Sequence, residues 1–308
     1  LKAVDDVSLK VKKKKTLGII GESGCGKSVT AQSVLRIVPD PGKTIEGEIV
    51  LYQDSKALDL CKLDPYGKKV RTIRGKEITM IFQEPMTSLS PVHTIGNQIM
   101  EAILLHVTKD KNEARELAIE MLYKVGMPNP YQRINEYPHQ LSGGLRQRAM
   151  IAMALSCSPS LLVADEPTTA LDVTVQAQIL ELMKNLQKQF GMAIMYITHN
   201  LGVIAEISDE VAVMYLGKVV EYAPVSEIFH NPLHPYTVRL LKSIPRVGKK
   251  ARERLEAIKG TVPLPLDLPE ECGFYPRCPE AKEGICNKNV PPLVKVKENH
   301  LVRCFLYT

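Results

Sequence analysis

The most chemically specific stretch of this 308-residue chain is Gly21-Glu22-Ser23-Gly24-Cys25-Gly26-Lys27-Ser28. It fits the spacing G-x-x-x-x-G-K-[ST]. In that pattern the glycines let successive backbone N–H groups turn inward on phosphate oxygens, and the helix that follows adds the positive potential of its N-terminus. Lys27 would reach the β- and γ-phosphates of a nucleotide, and the Ser28 hydroxyl would ligate Mg²⁺. Gly21, Ser23, Gly24, Cys25, Gly26 and Val29 complete the candidate nucleotide-binding set. Cys25 reads as a small residue in an unconstrained position, not as a nucleophile, because the sequence sets no base beside it.

Two further groups belong with this loop. Leu161-Leu162-Val163-Ala164-Asp165-Glu166 is an apolar run ending in two carboxylates. Asp165 would hold the hydration shell of Mg²⁺, and Glu166 could polarise an attacking water. Ser142-Gly143-Gly144 stands at the start of a helix-prone stretch and would offer a second N-terminus for phosphate.

Four of the seven cysteines, Cys272, Cys278, Cys286 and Cys304, fall in the last 37 residues, spaced C-x5-C-x7-C-x17-C. In a chain with reduced thiols, such a cluster points to a metal before it points to disulfides. Four thiolates suit Zn²⁺ or an iron–sulfur cluster, and neither short gap is as tight as the C-x2–4-C pairs common at zinc. The wider spacing favours a larger cubane. Residues 260–308, rich in proline and short of apolar side chains, would order more readily around such a staple.

These groups need elements to position them. Thr16–Ile20 reads as a buried strand and Ser28–Ile37 as the helix after the loop. Val7–Leu9 looks strand-like, and the basic run Lys10–Lys15 reads as a solvated turn between it and Thr16–Ile20. Residues from about 86 to 157 look helical, with Ala114, Leu117, Ala118, Met121, Leu122 and Val125 on one face. Ile78–Phe82, Leu161–Ala164 and Ala193–Ile197 read as strands, with a helix over Val175–Phe190. Strands alternating with helices favour a parallel sheet in an α/β fold. Composition shifts after Pro245, where a charged stretch, Lys249–Lys259, precedes Pro263, Pro265 and Pro269. A boundary is placed near residue 245, with an extended linker beyond it.

Bulk properties narrow the function classes. Hydrophobic residues make up 44% of the chain, enough for a substantial core. Aromatics are 5% with no Trp, which weakens any reading built on stacking of single-stranded nucleic acid. The net charge of +6 is mild and carries little weight. No apolar run is long enough to span a membrane. The chain opens at Leu1 within strand-like sequence and shows no signal peptide, so the expectation is a cytoplasmic protein whose natural N-terminus lies upstream.

The combination resembles the ABC ATPases. Leu141-Ser142-Gly143-Gly144, followed by Leu145-Arg146-Gln147-Arg148, is similar to their signature motif and stands 20 residues before the strand bearing Asp165. By that resemblance Gln83 matches the Q-loop glutamine that contacts Mg²⁺ and the attacking water. Ala170-Leu171-Asp172 matches the D-loop, and His199 the switch histidine that contacts the γ-phosphate. His139-Gln140, Pro232–Thr237 and Leu240–Pro245 look like the oligopeptide/dipeptide/nickel importer subfamily. Its ATP-binding subunits carry a C-terminal extension similar to one that binds a 4Fe-4S cluster. The resemblance covers nearly the whole chain but departs from the family at the front, where no residue from Leu1 to Leu17 supplies the aromatic that stacks on adenine.

The resemblance implies a P-loop NTPase fold, RecA-like, with an antiparallel β portion, an inserted helical subdomain at about 86–157 and a Cys-rich extension. Residues 1–245 would form the ATPase domain and 246–308 the extension. It further implies ATP and Mg²⁺ as ligands, Glu166, His199 and Gln83 as catalytic residues, and Cys272, Cys278, Cys286 and Cys304 on 4Fe-4S, with Zn²⁺ the alternative. Two chains, identical or paralogous, would close ATP between Lys27 of one and Ser142–Gly144 of the other, with Asp172 nearby. The partners would be integral permeases, docked near the helical subdomain at the cytoplasmic face of the membrane, and indirectly an extracytoplasmic binding protein; nucleic acid is not expected. Peptide import is the favoured reading. Nickel or other small-solute import, a non-transport ABC ATPase, and a regulatory module without catalysis are the alternatives. Gly24 and Asp165 are only 141 residues apart with no heptads between, which argues against the DNA-repair type. Intact Glu166 and His199 argue against a module that has lost catalysis.

Overall fold

The computed structural model describes residues 1–53, 56–83, 88–169, 171–243, 258, 260–263, 265–266 and 268–308. Its strands are β1 (Thr16–Ile20), β2 (Val50–Gln53), β3 (Lys56–Asp59), β4 (Ile78–Ile81), β5 (Leu161–Asp165), β6 (Ala193–Ile197), β7 (Glu210–Tyr215), β8 (Lys218–Pro224), β9 (Val294–Lys297) and β10 (His300–Val302). The chain divides into two compact units. One comprises Leu1–Lys10, Thr16–Thr30 and Tyr196–Thr308; the other comprises Val11–Lys15 and Ala31–Met195.

The first unit is built on a mixed sheet. β1 runs parallel to β7, pairing Leu17 with Glu210 through Ile20 with Val213. β8 lies antiparallel to β7, β10 antiparallel to β8, and β9 antiparallel to β10. All five residues of β1 are buried, as a strand covered on both faces requires. Gly18 marks where the helix Leu201–Ile207 crosses it: a Cβ there would stand 2.5 Å from Ser208 Oγ and 2.8 Å from Ile204 Cδ1. The turn joining β7 and β8 puts Leu216 and Gly217 at φ 45° and 74°, the twist that suits a two-residue hairpin. The helix Pro235–Lys242 is capped by His234, whose Nδ1 accepts from Tyr236 N at 3.0 Å. It buries Tyr236 against Tyr215 and Phe274, with ring centroids 4.8 and 5.4 Å away. β9 and β10 show that residues beyond the proline run do not merely trail as a linker: Arg303 N donates to Val220 O on β8 at 2.8 Å.

The second unit pairs β4 with β5 in parallel, Ile78 opposite Leu161 through Ile81 opposite Ala164. A separate antiparallel hairpin is formed by β2 and β3. The helices Ile95–His106, Lys111–Lys124 and Gly143–Leu155 pack on one another. Their starts follow ordinary capping chemistry: Thr94 Oγ1 accepts from Asn97 N at 3.2 Å, and Asp110 Oδ1 from Asn112 N at 2.7 Å. Ile99, Ile103, Ala114, Ala118, Leu122 and Ile151 fill the space between them.

Most expected elements form, with differences of physical origin. Val7–Leu9 is not a strand: Asp6 adopts φ 53°, which breaks extension, and Asp5 N donates to Gly217 O on the β7–β8 turn. The helix after the loop is Lys27–Leu35, shorter than expected, and Arg74 holds its end by donating to Leu35 O at 2.7 Å and Arg36 O at 2.6 Å. Arg36 is itself at φ 57°. The helix expected from Val175 starts at Val173 because Asp172 caps it. Phe82 lies outside β4 and is exposed, and Leu117 is half-buried where Ile119 is buried. The division near residue 245 and most of Lys249–Lys259 lie outside the described residues.

Candidate active site

The phosphate loop leaves β1 at Gly21 and folds around Lys27. The Lys27 Nζ donates to Gly21 O at 2.9 Å and Glu22 O at 3.0 Å, and the residue is only 6% exposed. The ammonium is thus seated among carbonyls at the base of the helix Lys27–Leu35, beside that helix's N-terminus. The loop's shape demands glycine at Gly21, Gly24 and Gly26, all at positive φ. Gly24 sits at φ 79° in open space, and Gly26 at φ 95°, where a Cβ would stand 2.2 Å from Ala3 O. The hairpin turn grips the loop from below: Gly217 N donates to Cys25 O at 3.0 Å. Thr30 Oγ1 adds a bond to Gly26 O at 2.9 Å.

Ser23 and Gly24 are exposed at the loop's rim, while Ser28 and Val29 are half-buried. Cys25 is fully buried, and burial pushes its thiol up, away from the thiolate a nucleophile needs. His199 is exposed in the same unit, just past β6 and before Asn200, whose side chain caps the helix Leu201–Ile207.

Glu22, inside the loop, is held at both ends. Its N–H donates to the Tyr236 hydroxyl at 2.9 Å. Its carboxylate receives Arg277 in a fork, Nη1 to Oε2 at 2.7 Å and Nη2 to Oε1 at 3.0 Å. Arg277 also donates to Tyr215 Oη at 3.2 Å, and the hydrogen-bonded Glu22 raises the guanidinium pKa further.

The residue after Arg277 is Cys278. Cys272, Cys278, Cys286 and Cys304 all line one small cavity, together with His234, Phe274 and Phe305. Cys272 N donates to Cys286 O at 2.9 Å, and Cys286 Sγ accepts from Lys282 N at 3.4 Å. Burial pushes the thiols of Cys272 and Cys278 up to about 11, and that of Cys304 upward as well. Among the described residues, no group of three or more His, Cys, Asp or Glu is drawn together as a ligand set for a metal ion.

In the second unit Asp165 closes β5 and is buried, with 3% exposure. Glu166 turns the chain away at φ 47°, a left-handed conformation that is costly for a non-glycine residue. Its Oε2 accepts from Gln83 Nε2 at 3.2 Å and from Thr169 Oγ1 at 3.0 Å. The carboxylate is therefore oriented by two neutral donors. Ser142 caps the helix Gly143–Leu155 with no side-chain cap hydrogen bond, and Ser142 and Gly143 are exposed. Gly144 packs where a Cβ would come 3.0 Å from Val175 Cγ1, at the start of the helix that Asp172 caps. The Asp172 carboxylate accepts from Val175 N at 2.9 Å, so in this structure it serves its own helix. Ala170 lies outside the described residues.

Sequence reasoning missed Thr30, Thr169, Tyr236 and Arg277. Thr169 stands three residues beyond Glu166, close enough for a turn contact to have been read. Arg277 is 255 residues from Glu22, and no local pattern pairs them.

Comparison with known proteins places these features. The pattern of the ABC transporter family matches residues 4–169, and that of the oligopeptide/dipeptide transporter C-terminal region matches residues 220–286. The oligopeptide transport ATP-binding protein AppD of Bacillus subtilis is 52% identical over 99% of this chain and 91% of its own length. The dipeptide transport ATP-binding protein DppD of the same organism is 47% identical over 99% of this chain and 89% of its own. Among solved structures, the post-hydrolysis dimer of the ATP-binding cassette MJ0796 bound to ADP and Pi superposes with a TM-score of 0.62 and 28% identity, over 72% of this chain and 90% of that one.

Proposed function

Because the chain belongs to the ABC transporter family of ATP-binding proteins, we propose that it is the ATP-hydrolysing subunit of a peptide importer. The observation that carries the hydrolytic reading is Glu166, one residue past buried Asp165 and oriented by Gln83 and Thr169. Peptide as cargo rests on the similarity to AppD and DppD along nearly the whole chain.

In this reading Lys27 and the loop N–H groups bind the β- and γ-phosphates of Mg·ATP. Ser28, Gln83 and Asp165 serve its Mg²⁺. Glu166 takes a proton from the water that attacks the γ-phosphorus; the γ-phosphoryl leaves ADP as phosphate, with His199 steadying its oxygens. Ser142, Gly143 and Gly144 bind the γ-phosphate of a second subunit's ATP, with Asp172 beside them. A dimer is supported by the MJ0796 likeness. Closure of that dimer drives permease subunits between states, and peptide arrives through a separate binding protein. Among the described residues no helix is long and apolar enough to cross a membrane. By its family, the chain would work from the membrane's cytoplasmic face through its partners. We read residues 1–245 as the ATPase domain, with a helical subdomain at about 86–157 that docks the permease, and 246–308 as the Cys-rich extension.

The four cysteines line one small cavity together, which supports reading them as a shared thiolate ligand set. Cys272, Cys278, Cys286 and Cys304 would hold 4Fe-4S, which would supply four iron–thiolate links tying the segment into one body. Zn²⁺ is the alternative.

The test of function is reconstitution with the neighbouring permease subunits in vesicles. ATP-dependent peptide accumulation, lost in Lys27→Ala, is the expected result. ATP hydrolysis with no dependence on any permease would point to a non-transport ATPase.

A further inference from the structure

The phosphate loop is not held by its own sequence alone. Glu22 occupies a variable position of the loop motif, yet both its N–H and its carboxylate are held by residues more than 200 positions away. Tyr236 accepts its N–H, and Arg277 grips its carboxylate through both guanidinium nitrogens. Arg277 is 5% exposed at its side chain and Glu22 27%, so the pair is shielded from water on the arginine side. A planar fork on a carboxylate fixes direction as well as distance, which a single ammonium contact does not. Glu22 O is also one of the two carbonyls that seat the Lys27 Nζ. The chain of contacts therefore runs from Arg277 to Glu22 to Lys27, the residue meant for the phosphates. Arg277 is in turn oriented by Tyr215, and Tyr215 is packed on Phe274 and Tyr236. Phe274 and Cys278, on either side of Arg277 in sequence, both line the cysteine cavity.

We propose that Arg277 is a positioning residue for ATP: it presets the phosphate loop through Glu22, so that nucleotide affinity depends on the ordered C-terminal cysteine segment. The proposal rests on the reading of Gly21–Ser28 as an ATP site. Arg277 does not touch the nucleotide. It limits the shapes the empty loop visits, so ATP gives up less affinity to ordering it. The fork is lost, with the charge kept, in Arg277→Lys; it is lost with the charge in Arg277→Gln and Glu22→Gln.

The experiment titrates the purified chain and these variants with a fluorescent ATP analogue, then measures KM and kcat for Mg·ATP. Arg277→Gln and Glu22→Gln should each weaken binding about tenfold, and KM should rise by a similar factor while kcat falls less than threefold. The double variant should be no weaker than either single one, because the two residues act as one pair. Arg277→Lys should fall between, and amide hydrogen exchange at Gly24–Lys27 should quicken in the nucleotide-free variants. If Arg277→Gln fails to fold, Arg277→Lys and Tyr236→Phe carry the same comparison. Binding within twofold of the parent in every folded variant would overturn the proposal, as would a double variant whose losses multiply. A parent chain that binds no ATP would instead overturn the ATP-site reading itself.

Discussion

Replacing Glu166 with Gln removes one proton-accepting group and changes little else. The amide is isosteric with the carboxylate, and its oxygen can still accept from Gln83 Nε2 and Thr169 Oγ1, now at 3.2 and 3.0 Å. Those two charge-assisted bonds weaken by about 1 kcal/mol on losing the charged acceptor, so the melting temperature should move by only a few degrees. The chemistry should suffer far more. General-base assistance is worth about 10²–10⁴-fold, which is roughly 3–5 kcal/mol of barrier, and kcat should fall by that factor. ATP binding should survive, since neither Lys27 nor the loop is altered. The assay is steady-state phosphate release, run beside size-exclusion chromatography in Mg·ATP, where Glu166→Gln should accumulate as an ATP-bound dimer. A variant that turned over within threefold of the parent would refute the assignment of Glu166 as the base, whatever its stability.

Other perturbations separate the contributions of shape and chemistry. Gly26→Ala combines a φ of 95° with a contact of 2.2 Å to Ala3 O, whereas Gly24→Ala meets only the dihedral cost, about 1–2 kcal/mol. Gly26→Ala should therefore lose more ATP affinity and more thermal stability than Gly24→Ala, as calorimetry and a melting curve would report. Gly18→Ala drives a methyl to 2.5 Å from Ser208 Oγ beneath the helix Leu201–Ile207, and should destabilise the fold by about 1–3 kcal/mol in urea titration. Anaerobically purified protein should be brown and contain about four irons per chain in the cluster reading, and Cys272→Ser should bleach it. A colourless, iron-free preparation carrying zinc would assign the site to Zn²⁺.

What was legible in the sequence was local or strongly patterned. The phosphate loop declares itself because its glycines and Lys27 lie within eight consecutive residues. β1 and β6 were readable because strands buried on both faces are continuous apolar runs. Asp165 and Glu166 stood out by ending such a run. Glu166's left-handed backbone was not legible, since nothing in an E-P-T-T stretch forbids extension. The strand expected at Val7–Leu9 failed for the converse reason: its alternation was right, but Asp6 and the contact to Gly217 took the backbone elsewhere. The Arg277–Glu22 fork and the pairing of β10 with β8 depend on contacts across scores of residues, where spacing carries no information. Composition marked residues 260–308 as poor in core material; it did not reveal that Phe274, 1% exposed, supplies a core residue there.

β1 has a consequence for how the chain is made. Thr16 N donates to Asp209 Oδ2, a partner 193 residues later in the sequence, and β1 lies beside β7 from the same region. At a synthesis rate of about 5–20 residues per second, roughly 10–40 s pass between the emergence of the two strands. Throughout that interval the nascent chain carries Thr16-Leu17-Gly18-Ile19-Ile20 without β7 beside it, an apolar segment open to wrong pairing. The residues Ala31–Met195 are all synthesised before β7 appears and can condense first. The phosphate loop, which hangs from the end of β1, is thus translated well before the strand that its own strand pairs with.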